Sequence, residues 1–434
     1  MSVFAGLFPK SSQASAKPEP SSHILGLHEE IIRQLFGYLP RLSDKVRLAC
    51  VAPKFRQAFE SWARTSQHTL DAEDVECMRL PDIIDFFKVA GPYITTLTVN
   101  CASFEKESLV VEFVSEYCKN LQEIRYTNVT DEFHYRSIMP RLNNLRSVCI
   151  DCMDAEDVLN FNLDTNRELE SFELVNGCYT GKNLCGFPQL RRLVLRDCLL
   201  WNSGEFGIPL RALRTLVLDD CCFEVVNQSL YEKIAECCGL LEELSFSGCD
   251  ASFEVIAQLP NLQRCTLKTW MTSNELNIGF LSTLAAQHGN KLVYFKLTGQ
   301  FEISNEHARC LGQLSTLKEL HWCNNDVLDD DHFKFFNELH ALEVFSMSWC
   351  GRVSDVGLMR LVRKCTKLQR IDLKSCDEIT DQLVLNAIYC CGKASRRPLL
   401  LNVQGTKISS SMLTHPDYEQ PQNKVKLNFT NVVV

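Results

Sequence analysis

Long hydrophobic runs are missing from this 434-residue chain. No apolar stretch approaches the roughly 18–20 residues that cross a bilayer. The opening Val3-Phe4-Ala5-Gly6-Leu7-Phe8 has neither a basic leader nor the apolar length of a signal peptide. The expectation is a chain that is neither exported nor membrane-spanning and that works in the cytoplasm, the nucleus or both. Glycine (19) and proline (14) are too sparse for a collagen-like chain, and 45% hydrophobic with 23% charged residues excludes a wholly disordered one. An excess of basic charge is also missing. The net charge is −9, and only residues 1–64 are basic, with nine Lys and Arg against five Asp and Glu. The acidic remainder argues against nonspecific nucleic-acid binding, which needs phosphate-neutralising cations. There is no Gly-rich phosphate loop, and the ten histidines show no nucleophile–base spacing. Nothing in the sequence supports intrinsic catalysis or a cofactor.

Cysteine, by contrast, is abundant at 22 residues. In an exported protein this would suggest a disulfide framework; here the thiols are expected to stay reduced. The sequons at Asn128, Asn227 and Asn428 lose their meaning for the same reason. The cysteines follow a phrase, Leu-x-x-Leu-x-Leu-x-x-Cys, clearest at Leu190–Cys198, Leu213–Cys221, Leu241–Cys249, Leu342–Cys350 and Leu368–Cys376. Looser copies centre on Leu97, Ile124, Val148, Phe172, Cys265, Phe295, Leu320 and Leu401, giving thirteen units spaced by about 25 residues, the range of leucine-rich repeats. A short strand and one returning helix cannot bury a core alone, so stacked neighbours must share one. The expected fold is α/β: a leucine-rich-repeat horseshoe with a parallel concave sheet and outer helices. Cys198, Cys221, Cys249, Cys350 and Cys376, and the earlier slot of Cys118, Cys238 and Cys365, should face inward as small apolar residues with a weak donor. The phrase resembles the cysteine-containing subtype of the repeat.

The expected organisation is a disordered tail at 1–22, a helical module at 23–64, the solenoid at 65–423 with a preliminary unit around Leu70, and a capping strand at 424–434. In the module, apolar residues recur on two strips over 27–39. A second helix is expected from Ser43 to Cys50 and a third from Pro53. The run Leu27-His28-x-Glu30-Ile31-Ile32-x-x-Leu35-Phe36-x-Tyr38-Leu39, followed by Val46-x-Leu48-Ala49-x-Val51, resembles an F-box, with His28 where that family usually has Pro. Directly ahead of cysteine-containing repeats, it makes the whole chain similar to the F-box and leucine-rich-repeat class of ubiquitin-ligase subunits. The resemblance implies docking to the Skp adaptor of an SCF complex, which links to a cullin and a RING subunit, while the repeats hold a protein substrate. Leu27, Ile31, Ile32, Leu35, Phe36, Leu39 and Val51 match the motif, which does not divide them between adaptor contact and core. The alternatives are a helical cap sealing the first repeat, and a noncatalytic scaffold without ubiquitin transfer.

Two clusters look like metal sites. Cys149-x-x-Cys152 lacks a second pair, and Asp329-Asp330-Asp331-His332 sits where other repeats start a helix, so capping is expected there. Side chains alternate along a strand, so the intervening positions of the phrase line the concave face. They include Arg125, Arg146, Arg191, Arg192, Arg196 and Arg214, then Glu242 and Glu243, then Tyr294, Lys296, His321 and Trp349. The arginines suit an acidic or phosphorylated substrate segment. The alternative is a solvated face on which Arg and Glu pair between adjacent strands.

Overall fold

A computed structural model describes the chain except for residues 1–23, 77, 102–106, 130–136, 154–165, 182–183, 185, 201–209, 224–227, 248–250, 270–273, 277, 289–290, 394–396 and 431–434. The expected tail, Asn227 and Cys249 therefore lie outside the described residues.

Fifteen strands form one parallel sheet in almost strict sequence order, from Thr69–Asp71 to Val425–Asn428. The register carries the repeat. Leu70 pairs with Leu97, then Ile124, Val148, Phe172, Leu193, Leu216, Leu244, Cys265, Phe295, Leu320, Phe345, Ile371, Leu401 and Leu427. All thirteen expected centres fall in this one column, with one further strand at each end. Every residue of the column except the terminal Leu427 is buried, so each strand contributes an apolar rung to a core shared with its neighbours. The architecture is a leucine-rich-repeat solenoid.

Four residues after the column the chain turns sharply. Among the described residues, all seven non-glycine residues with positive φ occupy this position: Asn128, Asn176, Asp197, Asp220, Asn324, Trp349 and Ser375; Gly299 and Gly405 share it. Asn, Asp and Gly tolerate the left-handed region best. At Gly299 (φ 115°) a Cβ would lie 2.0 Å from the Thr269 carbonyl, so no side chain is admitted. The freed N–H groups bond the next strand's end, as from Asn324 to the Ser348 carbonyl (2.8 Å) and from Trp349 to that of Lys374 (3.0 Å).

The returning segments vary with repeat length. Helices return the chain at Leu80–Ala90, Glu107–Tyr117, Gln228–Cys237, Ile278–His288, Asn305–Gly312, Asp355–Lys364 and Asp381–Lys393. Between Phe172 and Leu216 the centres are only 21 and 23 residues apart. There the described residues hold no α-helix, and Cys178–Tyr179 and Leu199–Leu200, with Cys222–Phe223 of the following repeat, form a second small parallel sheet.

Three helices precede the sheet: α1 Glu29–Tyr38, α2 Leu42–Ala49 and α3 Pro53–Ser66. Pro53 takes the first position of α3, where its missing N–H costs nothing. His28 is the N-cap of α1, its Nδ1 accepting the Glu30 N–H at 3.3 Å, and so supplies a helix start where the motif usually has proline. At the far end, Tyr418 Oη accepts the Leu427 N–H at 3.0 Å and covers part of the last strand's open edge.

Candidate functional site

Two surfaces stand apart. The first is on α1 and α2. Ile32 and Phe36 point inward; Phe36 packs on Phe59 and Trp62 of α3, with ring centroids 5.3 and 6.4 Å away. Leu27, Leu35 and Leu39 are half-buried. Ile31 and Tyr38, seven residues apart and so on one face of α1, are 47% and 80% exposed, and Val51 just past α2 is 69% exposed. The seven motif residues thus divide into core (Ile32, Phe36), boundary (Leu27, Leu35, Leu39) and surface (Ile31, Val51). Ile31 and Tyr38 thus remain uncovered on α1, and Val51 just past α2, while the opposite side of each helix is filled.

The helices are fastened to the solenoid. Asp82, at the start of the helix Leu80–Ala90, is buried and meets Arg79 (3.1 Å) and Arg47 of α2 (3.5 Å). The Arg79 hydrogen bonds, aided by the charge of Arg47, hold its carboxyl below the usual range against the effect of burial. Lys54 of α3 donates to the Leu27 carbonyl at 2.6 Å, tying the entry of α1 to α3.

The second surface is the concave face. Of the expected arginines, Arg125, Arg192 and Arg196 lie on strands, whereas Arg146, Arg191 and Arg214 come just before theirs, at the entry edge of the sheet; all are matched by glutamates of the same or a neighbouring repeat. Arg146 meets Glu170 at 3.0 Å, Arg191 the same carboxylate at 4.0 Å, and Arg196 and Arg192 flank Glu173 at 2.6 and 3.8 Å. Arg125 lies 3.9 Å from Glu123, and Arg214 is paired with Glu242. Further along, Arg264 lies 3.6 Å from Glu243 and 3.9 Å over the Tyr294 ring. Lys268 meets Asp219 at 2.6 Å, and that carboxylate also accepts the Ser245 hydroxyl at 2.5 Å. Such half-exposed pairs contribute little stability, but they leave little free positive charge on this part of the face.

Over the later strands the face deepens into a cleft of about 520 Å³ lined by Tyr294, Lys296, Glu319, His321, Ser346, Arg370, Asp372 and Lys374 among others. Burial pushes His321 below the usual imidazole range, although Glu319 at 3.4 Å pulls the other way. Trp349 is not on the strand face. It occupies the left-handed turn (φ 57°) at the strand's exit, 58% exposed, beside a separate recess lined by Asn324, Asp326, Asp377 and Gly405.

The cysteines form a ladder. Cys198 Sγ lies 3.4 Å from the Leu174 carbonyl, Cys221 3.4 Å from Leu195, Cys350 3.5 Å from Trp322 and Cys376 3.4 Å from Met347, each on the preceding strand. A weak donor at the strand's end thus meets a carbonyl that an alkyl side chain would leave unpaired. Cys149 and Cys152 are buried, and no His, Cys, Asp and Glu group able to hold a metal occurs among the described residues. Asp330 bridges to the following repeat instead, accepting the Ser354 N–H (2.9 Å), the Ser354 hydroxyl (2.5 Å) and the Gly357 N–H (3.1 Å). Asp355 does the same for Thr380, and Asp381 accepts the Ser409 N–H at 2.7 Å. Sequence spacing pointed to capping of the local helix start; only Asp329 does that, accepting the Asp331 N–H at 3.0 Å.

No family model matches the chain, and no curated protein matches it. Among solved structures it is similar to an internalin (InlF) of Listeria monocytogenes, at 13% identity over 76% of this chain and 94% of that one, with a TM-score of 0.48. It is also similar to a leucine-rich-repeat protein of Leptospira interrogans, at 16% identity over 85% and 97%, TM-score 0.44. A plant peptide hormone receptor, RGFR1 in complex with RGF2, is 11% identical over 79% and 60%, TM-score 0.36. With scores this low, the assignment of a leucine-rich-repeat solenoid rests on the chain's own sheet and register.

Proposed function

We propose that the chain is the noncatalytic substrate-recognition subunit of an SCF-type ubiquitin ligase. In this reading α1 and α2 dock the Skp adaptor, which brings the cullin and RING subunit, while the concave face holds a protein substrate for ubiquitination in the cytoplasm or nucleus. One observation carries it: Ile31 and Tyr38 stay exposed on α1, and Val51 just past α2, while the other side of both helices already supplies the core. A cap that only sealed the first repeat would have no use for a second apolar face, and uncovered apolar patches mark partner surfaces. The test is capture of purified Skp adaptor by the full chain. Binding that falls at least about tenfold in Ile31→Asp and Val51→Asp supports the reading, since burying an unpaired carboxylate in an apolar interface is costly. No adaptor binding by the folded chain removes it and leaves a protein-binding scaffold without ubiquitin transfer.

A further inference from the structure

The cleft over the later strands is where positive charge is left over. Its lining carries Arg264, Lys296, Arg370 and Lys374 against Glu319 and Asp372. Both carboxylates are engaged, Glu319 by His321 and Asp372 by Arg370 (3.3 Å) and the Asn402 amide. Arg264 is held between Glu243 and the Tyr294 ring. Lys296 and Lys374 differ: among the described residues no carboxylate comes within ion-pair distance of either ammonium. Between them stand His321 and the hydroxyls of Ser346 and Ser348, short polar groups that leave the floor open. Two uncompensated cations in a recess, on a chain of net charge −9, concentrate the local field toward anions.

We infer that this cleft receives an extended acidic segment of a partner protein, with one anionic side chain at Lys296 and a second at Lys374. For the segment to be a degradation substrate, the inference rests on the receptor reading above. The register sets the spacing. Lys296 is on the strand Tyr294–Thr298 and Lys374 follows the strand Arg370–Asp372, three strand intervals away. Lys296 lies one residue past the column and Lys374 three, so about 4.8 Å per interval and about 3.3 Å per residue along the strand put the two roughly 16 Å apart. An extended chain covers about 3.4 Å per residue, so the anions are about four to five residues apart, and a separation of four puts both on one face of the segment. Glutamate or aspartate and phosphoserine supply the same chemistry, a hydrogen-bonding anion on a flexible stem.

Fluorescently labelled peptides test this on the full-length chain: one with two Glu four residues apart, the same with two phosphoserines, one with the Glu pair adjacent, and one with Lys in their place. The first or second binds, the other two at least about tenfold more weakly, and whichever of the first two binds tighter names the source of the anion. Lys296→Glu with Lys374→Glu lowers acidic-peptide affinity by tenfold or more, whereas Lys364→Glu with Lys367→Glu, the same charge change on the outer side, leaves it within about twofold. Circular dichroism checks folding; if the double reversal unfolds, Lys296→Gln and Lys374→Gln are used with the same expectation. Equal loss in both pairs of variants, no loss in either, or tighter binding of a single-stranded oligonucleotide than of either acidic peptide overturns the inference. Adaptor capture measured on the same samples keeps the two readings apart. Adaptor binding with indifferent lysines defeats only the cleft; acidic-peptide binding without adaptor binding defeats only the receptor.

Discussion

At the scale of single residues, the cysteines and turn residues are structural, and their chemistry follows from placement. Burial pushes the thiols of Cys118, Cys152, Cys238 and Cys350 up to about 12, so at pH 8 hardly any thiolate exists for alkylation. Iodoacetamide on the native protein should modify exposed Cys222 within minutes and spare those four until denaturant is added, read by peptide mass spectrometry. Native labelling of Cys350 would contradict the ladder. Gly357 answers to a neighbour, since a Cβ would lie 2.4 Å from Asp330 Oδ1. Gly357→Ala should displace the carboxylate and cost about 1–3 kcal/mol in denaturant unfolding, the range for a broken buried hydrogen-bond set. Trp349 is the one bulky side chain among the left-handed turn residues. Trp349→Asn should raise stability by roughly 1 kcal/mol by relieving that backbone. A drop in melting temperature instead would show that the ring holds the turn together. The thiol positions were legible in the sequence because each lies at a fixed offset from an apolar anchor. The carbonyl partners were not, because they belong to the preceding repeat.

At the scale of elements, α1 shows what a pattern resolves and what it leaves open. Its apolar residues were readable, but helical spacing gives two adjacent strips equal standing, and only the position of α3 decides that Ile32 and Phe36 are core while Ile31 is surface. Phe36→Ala should therefore destabilise by about 3–5 kcal/mol, whereas Ile31→Ala should leave unfolding unchanged while weakening adaptor binding. Equal effects of the two on thermal unfolding would contradict this division. The junction through Asp82 was invisible in the sequence, because its arginines come from two different elements. Asp82 has its folded-state pKa lowered. Its contribution is thus present above the unfolded value, about pH 4, and is lost as pH falls through the lower folded value. Asp82→Asn should remove part of the acid sensitivity of α2 docking, seen as a flatter pH profile of hydrogen exchange in 42–49 below pH 4. An unaltered profile would place the acid-labile contact elsewhere.

At the scale of the whole molecule, the repeat was almost fully legible: one buried column runs from Leu70 to Leu401 and ends on half-buried Leu427, and the anchors read from the sequence lie in it. In the short repeats, spacing alone does not fix the form of the return between strands. The arginines were legible as a set, but all their glutamate partners except that of Arg125 come from a neighbouring repeat, and that pairing moves the free charge to Lys296 and Lys374. What ties solenoid and helices into one functional reading is the uncovered apolar face of α1 and α2, and the most direct measurement is binding of purified Skp adaptor to the full chain by calorimetry. A stoichiometric complex that Ile31→Asp abolishes, in a protein with unchanged circular dichroism, is the predicted result; a folded wild-type chain that releases no heat and captures no adaptor would contradict it.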